Sequence, residues 1–224
     1  MSTDLTKLIT GAWAAGNNQG GLDTGTATDA TYHCFAIHNP TTNTTDALFS
    51  ASLTPALPAG FTHYRRIGSF TRIAGANRQF RQISNYFQYP TRIRALNGYQ
   101  VSTAGELITM PVPIGIRVQV YGTLSAGTPE SIFNNWSHLS ILVLDGDLTD
   151  SVTYTNSAYS AFDGTVGWGV YAHNGSIYIL SGTPNDIHRL TNTSGQLYFR
   201  RAGNYNSATF QTTFQVHGYT DISL

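Results

Sequence analysis

Asp145, Asp147 and Asp150, in the run Asp-Gly-Asp-Leu-Thr-Asp, form the densest group of chemistry-bearing side chains in the sequence. Carboxylates at this spacing match part of an oxygen-rich calcium loop, but the closing bidentate glutamate of an EF-hand is missing. The same acids are the residue type of a glycosidase pair, whose chemistry depends on a carboxyl separation set by folding and not by spacing. A solvated acidic turn needs neither. Histidines 33, 38, 63, 138, 173, 188 and 217 fall singly on expected strands and turns. His33 and His38 would share a metal only with a third ligand, and none stands out. There is no nucleophile elbow, phosphate loop, His-Glu-x-x-His motif or cysteine pair, Cys34 being alone. No catalytic, cofactor or metal residue is assigned, and the reading is non-enzymatic.

Two larger groups speak for binding. Trp136, Tyr154, Tyr159, Trp168 and Tyr171, with Tyr178 nearby, lie in or near polar, loop-rich stretches. Flat rings beside Asn and Asp suit the C–H faces and hydroxyl edges of sugars, which makes these residues candidate glycan contacts. For each ring, Trp168 and Tyr178 above all, a place in the core is the competing reading. The second group is charged. No acid falls between Asp46 and Glu106, where Arg65, Arg66, Arg72, Arg78, Arg81, Arg92 and Arg94 stand. No Lys or Arg falls between Arg117 and Arg189, where Glu130, Asp145, Asp147, Asp150, Asp163 and Asp186 stand. Arginine tolerates buried, bidentate pairing better than lysine, and Lys7 is the one lysine. The seven arginines are therefore a candidate homo-oligomer interface, in which basic and acidic blocks meet within or between protomers. Arg with interleaved Tyr and Phe also resembles a nucleic-acid surface. The zero net charge and the matching acidic block argue against that.

The elements that must position these residues read as strands. Charged residues make up 11% of the chain, against about 25% in an average soluble domain, and Thr, Gly, Asn and Ser take their place. With 12% aromatic residues and zero net charge, folded β-structure with long polar turns fits better than disorder. Alternation predicts strands at Thr31 to His38, Asp46 to Ser52, His63 to Arg72, Gln79 to Gln88, Arg92 to Ala95 and Ile114 to Tyr121. It continues at Leu139 to Leu144, Val166 to Ala172, Ser176 to Leu180, Gln196 to Arg201 and Ala208 to Tyr219. Asn97-Gly98, Asn174-Gly175 and Ser194-Gly195 are tight-turn dipeptides. About ten to twelve strands in 224 residues predict one antiparallel β-sandwich or jelly-roll-like domain over 22–224. Residues 1–21 are expected to be an attachment segment and Gly/Asn linker. In it Leu5, Leu8, Ile9, Ala12 and Trp13 have helical spacing, so Asp4 to Ala15 is the one stretch that reads as helical, an extended segment or a terminal turn packed on the domain being the alternatives, with Leu5, Leu8, Ile9 and Trp13 as docking residues. No leader and no run approaching about 18 apolar residues is seen, which predicts a chain folded in a cytoplasm, without a membrane partner.

One ordered string is more specific. Tyr32-His33-Cys34-Phe35-Ala36-Ile37 is followed by Asn39-Pro40-Thr41-Thr42, Asp46-Ala47-Leu48-Phe49-Ser50-Ala51-Ser52, Leu57-Pro58-Ala59-Gly60-Phe61-Thr62 and Arg65-Arg66-Ile67-Gly68-Ser69-Phe70. It resembles a segment found in many phage and prophage tail-fibre or tail-spike proteins. The end of the chain, Asn192-Thr193-Ser194-Gly195-Gln196 and then Gly218-Tyr219-Thr220-Asp221, is similar to the end of those modules. The resemblance spans Thr31 to Asp221 in outline, with its specific part in the first half. It implies a β-sandwich-like virion module, commonly trimeric, assembled in the host cytoplasm, with host recognition or decoration as its role. It carries no catalytic residues. Two departures stand out: only about 30 residues precede the match, and Arg72 to Arg94 is basic where those proteins are more acidic. The expected function is that of a short tail fibre, spike or decoration, a homotrimer that meets other virion proteins through its N-terminal segment and binds host cell-surface polysaccharide. The alternatives are a polysaccharide-degrading tail spike and a purely structural collar or capsid protein.

Overall fold

The computed structural model of the protein describes residues 4–127, 137–148, 169–173, 176–180, 186–203 and 211–224. The fold is all-β, built of largely antiparallel sheets, with no helix among the described residues. Two compact units divide the chain. The first holds residues up to Gln79 together with 113–115 and 221–224, and the second holds the remainder.

The first unit is one six-stranded sheet. Its strands are β1 (Lys7–Ala12), β2 (Gln19–Leu22), β3 (Thr31–Asn39), β4 (Thr44–Ser50), β5 (His63–Ile73) and β6 (Ala76–Asn77), in the order β1-β2-β4-β3-β5-β6. The alternation read from the sequence holds in β3: His33, Phe35 and Ile37 are buried on one face, while Cys34, Ala36 and His38 are partly exposed on the other. The turn between β3 and β4 is closed by Asn39, whose side-chain oxygen accepts from Thr41 N at 3.0 Å and Thr42 N at 3.3 Å. Phe35, Ile37, Leu48 and Phe61 form a core cluster against which Trp13 and Leu57 pack.

The expected helix over Asp4 to Ala15 is a strand. β1 buries Ile9 while Leu8 and Thr10 face outward, a period of two and not of 3.6. What overrides the helical spacing is a buried ion pair. Lys7 Nζ lies 2.9 Å from Asp46 Oδ1, with the two side chains 1% and 4% exposed. Lys7 also donates to Ala14 O at 2.7 Å, and Asp46 accepts from Gly16 N at 3.0 Å and Ala47 N at 2.7 Å. A helix could not extend the amine to Asp46 and also leave the Ala14 carbonyl and the Gly16 amide turned towards the pair. The Gly/Asn stretch likewise becomes structure: β2 runs parallel to β1 although only residues 13–18 connect them, far fewer than a usual parallel crossover. Glycine makes that possible. A Cβ on Gly20 would lie 2.0 Å from Ala12 O and 2.7 Å from Gly11 C.

The second unit contains two five-stranded sheets. Its strands are β7 (Arg81–Ile83), β8 (Tyr86–Tyr99), β9 (Glu106–Thr109), β10 (Val118–Gly127), β11 (Ser137–Leu144), β12 (Gly169–His173), β13 (Ser176–Leu180), β14 (Asp186–Leu190), β15 (Gln196–Gly203) and β16 (Gln211–Asp221), the last ending in the first unit. One sheet has the order β14-β10-β16-β8-β7 and the other β13-β12-β11-β15-β9. Val118, Val120, Leu124, Phe87, Ile187, Phe214 and Val216 of the former are buried, as are Ile141, Val143, Leu197 and Phe199 of the latter. Phe199 and Phe214 meet edge to face at 5.7 Å, joining the two sheets as in a sandwich. Asn97-Gly98 does not reverse the chain. It lies inside β8, where three residues of that strand span two of β16, and Gly98 (φ 64°) takes the left-handed conformation the bulge requires. Ser194-Gly195 is the expected turn, with Asn192 Oδ1 accepting from Ser194 N and Gln196 N. Asn174-Gly175 lies outside the described residues.

Removing one partner of a buried ion pair strands the other charge, which costs about 3–5 kcal/mol. Lys7→Met is therefore expected to lower the unfolding free energy in urea by that amount. Lys7→Met with Asp46→Leu recovers part of it, the rest being lost with the acceptor of the Gly16 amide.

Candidate functional site

The contact that most invites a catalytic reading is in the first unit. His33 Nδ1 and Ser69 Oγ are 2.8 Å apart, but both residues are buried and Ser69 has no exposed surface. Arg66 Nη1 donates to Ser69 Oγ at 2.9 Å and also pairs with Asp221, whose carboxylate is fully buried. Asp221 holds Arg66, not His33, through both oxygens, and Ser223 N donates to it at 3.1 Å. With Arg66 donating to Ser69, the serine proton is left to bond a neutral imidazole at Nδ1. Burial, and then the Arg66 charge, lower the His33 pKa to about 4, with Asp221 opposing. An enclosed serine beside so weak a base is a structural network. It consumes Arg66, one of the seven candidate interface arginines.

An open surface with the features of a binding site lies on the second unit, on the outer face of the sheet β14-β10-β16-β8-β7. Inward Val118, Val120 and Leu124 alternate with outward Gln119, Tyr121 and Thr123 on β10. The register sets Tyr121 opposite His188 and Thr123 opposite Asp186 on β14. Across four strands this builds two rows. In the first, Tyr121 meets His188 at 4.5 Å and Tyr86 at 5.3 Å, both edge to face. The Tyr121 hydroxyl donates to Gln119 Oε1 at 3.0 Å and accepts from Thr220 Oγ1 at 3.0 Å, which fixes the ring. In the second row, Thr123 Oγ1 and His217 Nε2 are 2.8 Å apart, with Arg92 and Asp186 acting on His217. Burial and then Arg92 lower the His217 pKa, and Asp186 opposes them. The Tyr86 hydroxyl is pushed above its ordinary value, mainly by burial and then by Tyr121. The result is an aromatic row beside a row of hydrogen-bonding and charged groups, with Tyr86 and Tyr121 half-buried and His188, Arg92 and Asp186 exposed. Such a surface stacks flat apolar faces while bonding polar edges.

Of the predicted site residues, Arg92 lies on this surface. Trp136, Tyr154, Tyr159 and Trp168 lie outside the described residues, and of Tyr171 only the backbone is described, opposite Tyr178 on β13. Among the arginines, Arg65, Arg81, Arg92 and Arg94 are exposed, and Arg72 and Arg78 are half-buried. Arg72 donates to Asn77 Oδ1 at 3.1 Å and Arg94 to Asn97 Oδ1 at 3.4 Å. Of the docking residues, Ile9 is buried and Trp13 packs on the core, its indole N–H donating to Ala47 O at 3.1 Å. Leu5 and Leu8 remain exposed at 39% and 51%. Asp147 pairs with Arg117 at 2.7 Å and Asp145 accepts from Leu190 N at 2.8 Å, while Asp150 lies outside the described residues. No group of three or more potential metal ligands occurs among the described residues. The aromatic face escaped the sequence reading because Tyr86, Tyr121 and His188 come from three separate strands. Its trace was the alternation of Gln119, Tyr121 and Thr123 with buried aliphatics.

No family model matches the chain, and no curated protein matches its sequence.

The depressed pKa of His33 makes folding acid-sensitive. Between about 4 and 6.5 the unfolded chain binds the proton that folded His33 refuses, so stability is full above that window and falls as pH drops through it. Urea midpoints measured from pH 7.5 down to 4.5 should decline. His33→Asn, which can still meet Ser69, should flatten the decline, leaving a smaller slope from His217.

Proposed function

We propose that this is a non-enzymatic virion surface protein of a phage or phage-like particle, a short tail fibre, spike or decoration, acting as a homotrimer that holds host cell-surface glycan. The observation that carries the binding half is the outer face of the second unit. Tyr121 is pinned at its hydroxyl by Gln119 and Thr220, so its ring is pre-oriented and little side-chain freedom is lost on stacking. Thr123, His217, Arg92 and Asp186 then supply donors and acceptors along a neighbouring row. That combination fits a saccharide, with C–H faces against the rings and hydroxyls against the polar row.

The virion half rests on the tail-fibre resemblance from Thr31 onward. The low charge content and zero net charge support it, since they leave little self-repulsion between packed copies. For the trimer contact, Arg81 and Arg94 are the exposed arginines outside the binding surfaces. Docking to other virion proteins falls to Leu5 and Leu8, because Ile9 and Trp13 are committed to the sheet.

Tyr121→Ala and Tyr86→Ala should each weaken binding to host-cell polysaccharide about tenfold, equivalent to about 1.4 kcal/mol, with unchanged trimer mass at micromolar concentration. A wild-type monomer overturns the assembly claim. Release of reducing ends from the polysaccharide replaces the reading with a degrading spike, and absence of binding replaces it with a structural collar or capsid protein.

A further inference from the structure

A second polar surface lies on the first unit, on the face of the sheet opposite the Phe35 and Ile37 core. His38 of β3 stands directly across from His63 of β5 and from Thr45 of β4. The two imidazoles are 6.2 Å apart between centroids, tilted by 57°. They border a shallow depression of about 220 Å³ that Ala36, Ile37, Thr45, Tyr64 and Arg65 also line, with an apolar floor and polar groups at its edge. The hollow exists because the residue between these larger groups on β3 is an alanine, with Ala47 opposite it on β4 and Arg65 opposite it on β5.

Both rings are tied at the same atom. His38 Nδ1 lies 3.3 Å from Thr45 Oγ1, and His63 Nδ1 lies 3.0 Å from Thr62 Oγ1. A threonine hydroxyl that donates to Nδ1 leaves the proton on Nε2, so even the neutral ring presents a donor outward. The opposite tautomer would present a bare Nε2, suited to a metal. Arg65 decides between an anion and a metal ion as the ligand. It is exposed, two residues along β5 from His63 on the same face, and its guanidinium repels a dication while adding donors for an anion. From β3, β4 and β5 the titratable or charged side chains on this face are Tyr32, Cys34, His38, His63, Arg65 and, beyond the β5 irregularity, Arg72, which donates to Asn77. Burial keeps Cys34 neutral, its pKa pushed up to about 12. The acid of these strands, Asp46, is engaged with Lys7 in the core.

We infer that the depression bordered by His38, His63 and Arg65 is an anion-binding site, taking a carboxylate or phosphate group such as those borne by acidic polysaccharides. It stands on other residues than the aromatic face of the second unit and does not depend on it.

The test is titration of the full chain with a glucuronate-containing oligosaccharide, with inorganic phosphate, with a neutral glucose oligosaccharide and with Zn²⁺, followed by the imidazole ¹H–¹⁵N signals of His38 and His63. The expected result is Nε2–H tautomers in the free protein and perturbation of both rings by glucuronate or phosphate. The neutral sugar should leave them unmoved, and binding should weaken as salt is raised. The arm that binds more tightly identifies carboxylate or phosphate as the source. Arg65→Gln should weaken anion binding about tenfold, and His38→Gln with His63→Gln should abolish the response, with unchanged thermal unfolding. Zn²⁺ binding at micromolar concentration without an anion response, Nδ1–H tautomers, or an Arg65→Gln variant that binds as the wild type would each overturn the inference.

Discussion

Burying the ammonium of Lys7 against Asp46 is the constraint on which the first unit depends. Taking both charges out of water costs several kcal/mol per ion, and only close, fully bonded geometry repays it. Here the carboxylate receives Lys7, Gly16 N and Ala47 N, and the amine also reaches Ala14 O. The ammonium lies 5.2 Å from the centre of the Trp13 ring, and Trp13 stands edge to face with Phe61 at 5.3 Å. Lys7 and Gly16 bond Asp46, and the Trp13 indole N–H bonds Ala47 O, so residues 7–16 are tied to β4 at three points and cannot peel from the sheet without exposing an unpaired charge. The tight approach of Gly11 to Gly20 follows from the same anchoring.

A second buried pair, Arg66 with Asp221, applies the same logic to the other end of the chain. Asp221 belongs with the first unit although the rest of β16 belongs to the second. Ser69 and Ser223 complete the bonding of the guanidinium, and burial, and then the Arg66 charge, disfavour protonation of His33 beside it. Among the described residues, a chain with few charges has thus committed two pairs to its interior. By contrast the Arg117 and Asp147 pair is about half exposed and contributes little, about 0–1 kcal/mol.

The second unit places its polar groups by another rule. Its core is aliphatic and aromatic, with Phe87 stacked on Tyr219 at 4.8 Å, and strand alternation leaves Tyr, His, Thr and Gln on the outer face. The aromatic row is consequently a product of register. Tyr121 faces His188 only because β10 and β14 pair with Tyr121 opposite that residue, and a slip of one residue would replace the histidine with Ile187 or Arg189.

Much of this architecture was legible before folding. Period-two patterning located the long strands β3, β5 and β15 and predicted Ser176–Leu180 at its observed bounds, because burial on one face forces alternation within a strand. β2, a Gly-Gly stretch, and the two-residue β6 carry no pattern, and β1, β9 and β14 were also missed for physical reasons. β1 carries helical spacing that a distant carboxylate overrides, β9 is four residues long, and β14 buries Ile187 alone, so neither of the last two shows an alternation in its sequence. The Asn97-Gly98 dipeptide marked a left-handed backbone, but whether that conformation closes a hairpin or bulges a strand depends on the pairing with β16. The sequence by itself determined the all-β class, the inward faces of the longer strands and the scarcity of charge. Tertiary structure decided which charges are buried, that the N-terminal segment is sheet, and which rings meet. Those outcomes depend on contacts such as Lys7 with Asp46 and Arg66 with Asp221, between residues far apart in the chain, and local spacing carries no record of such pairings.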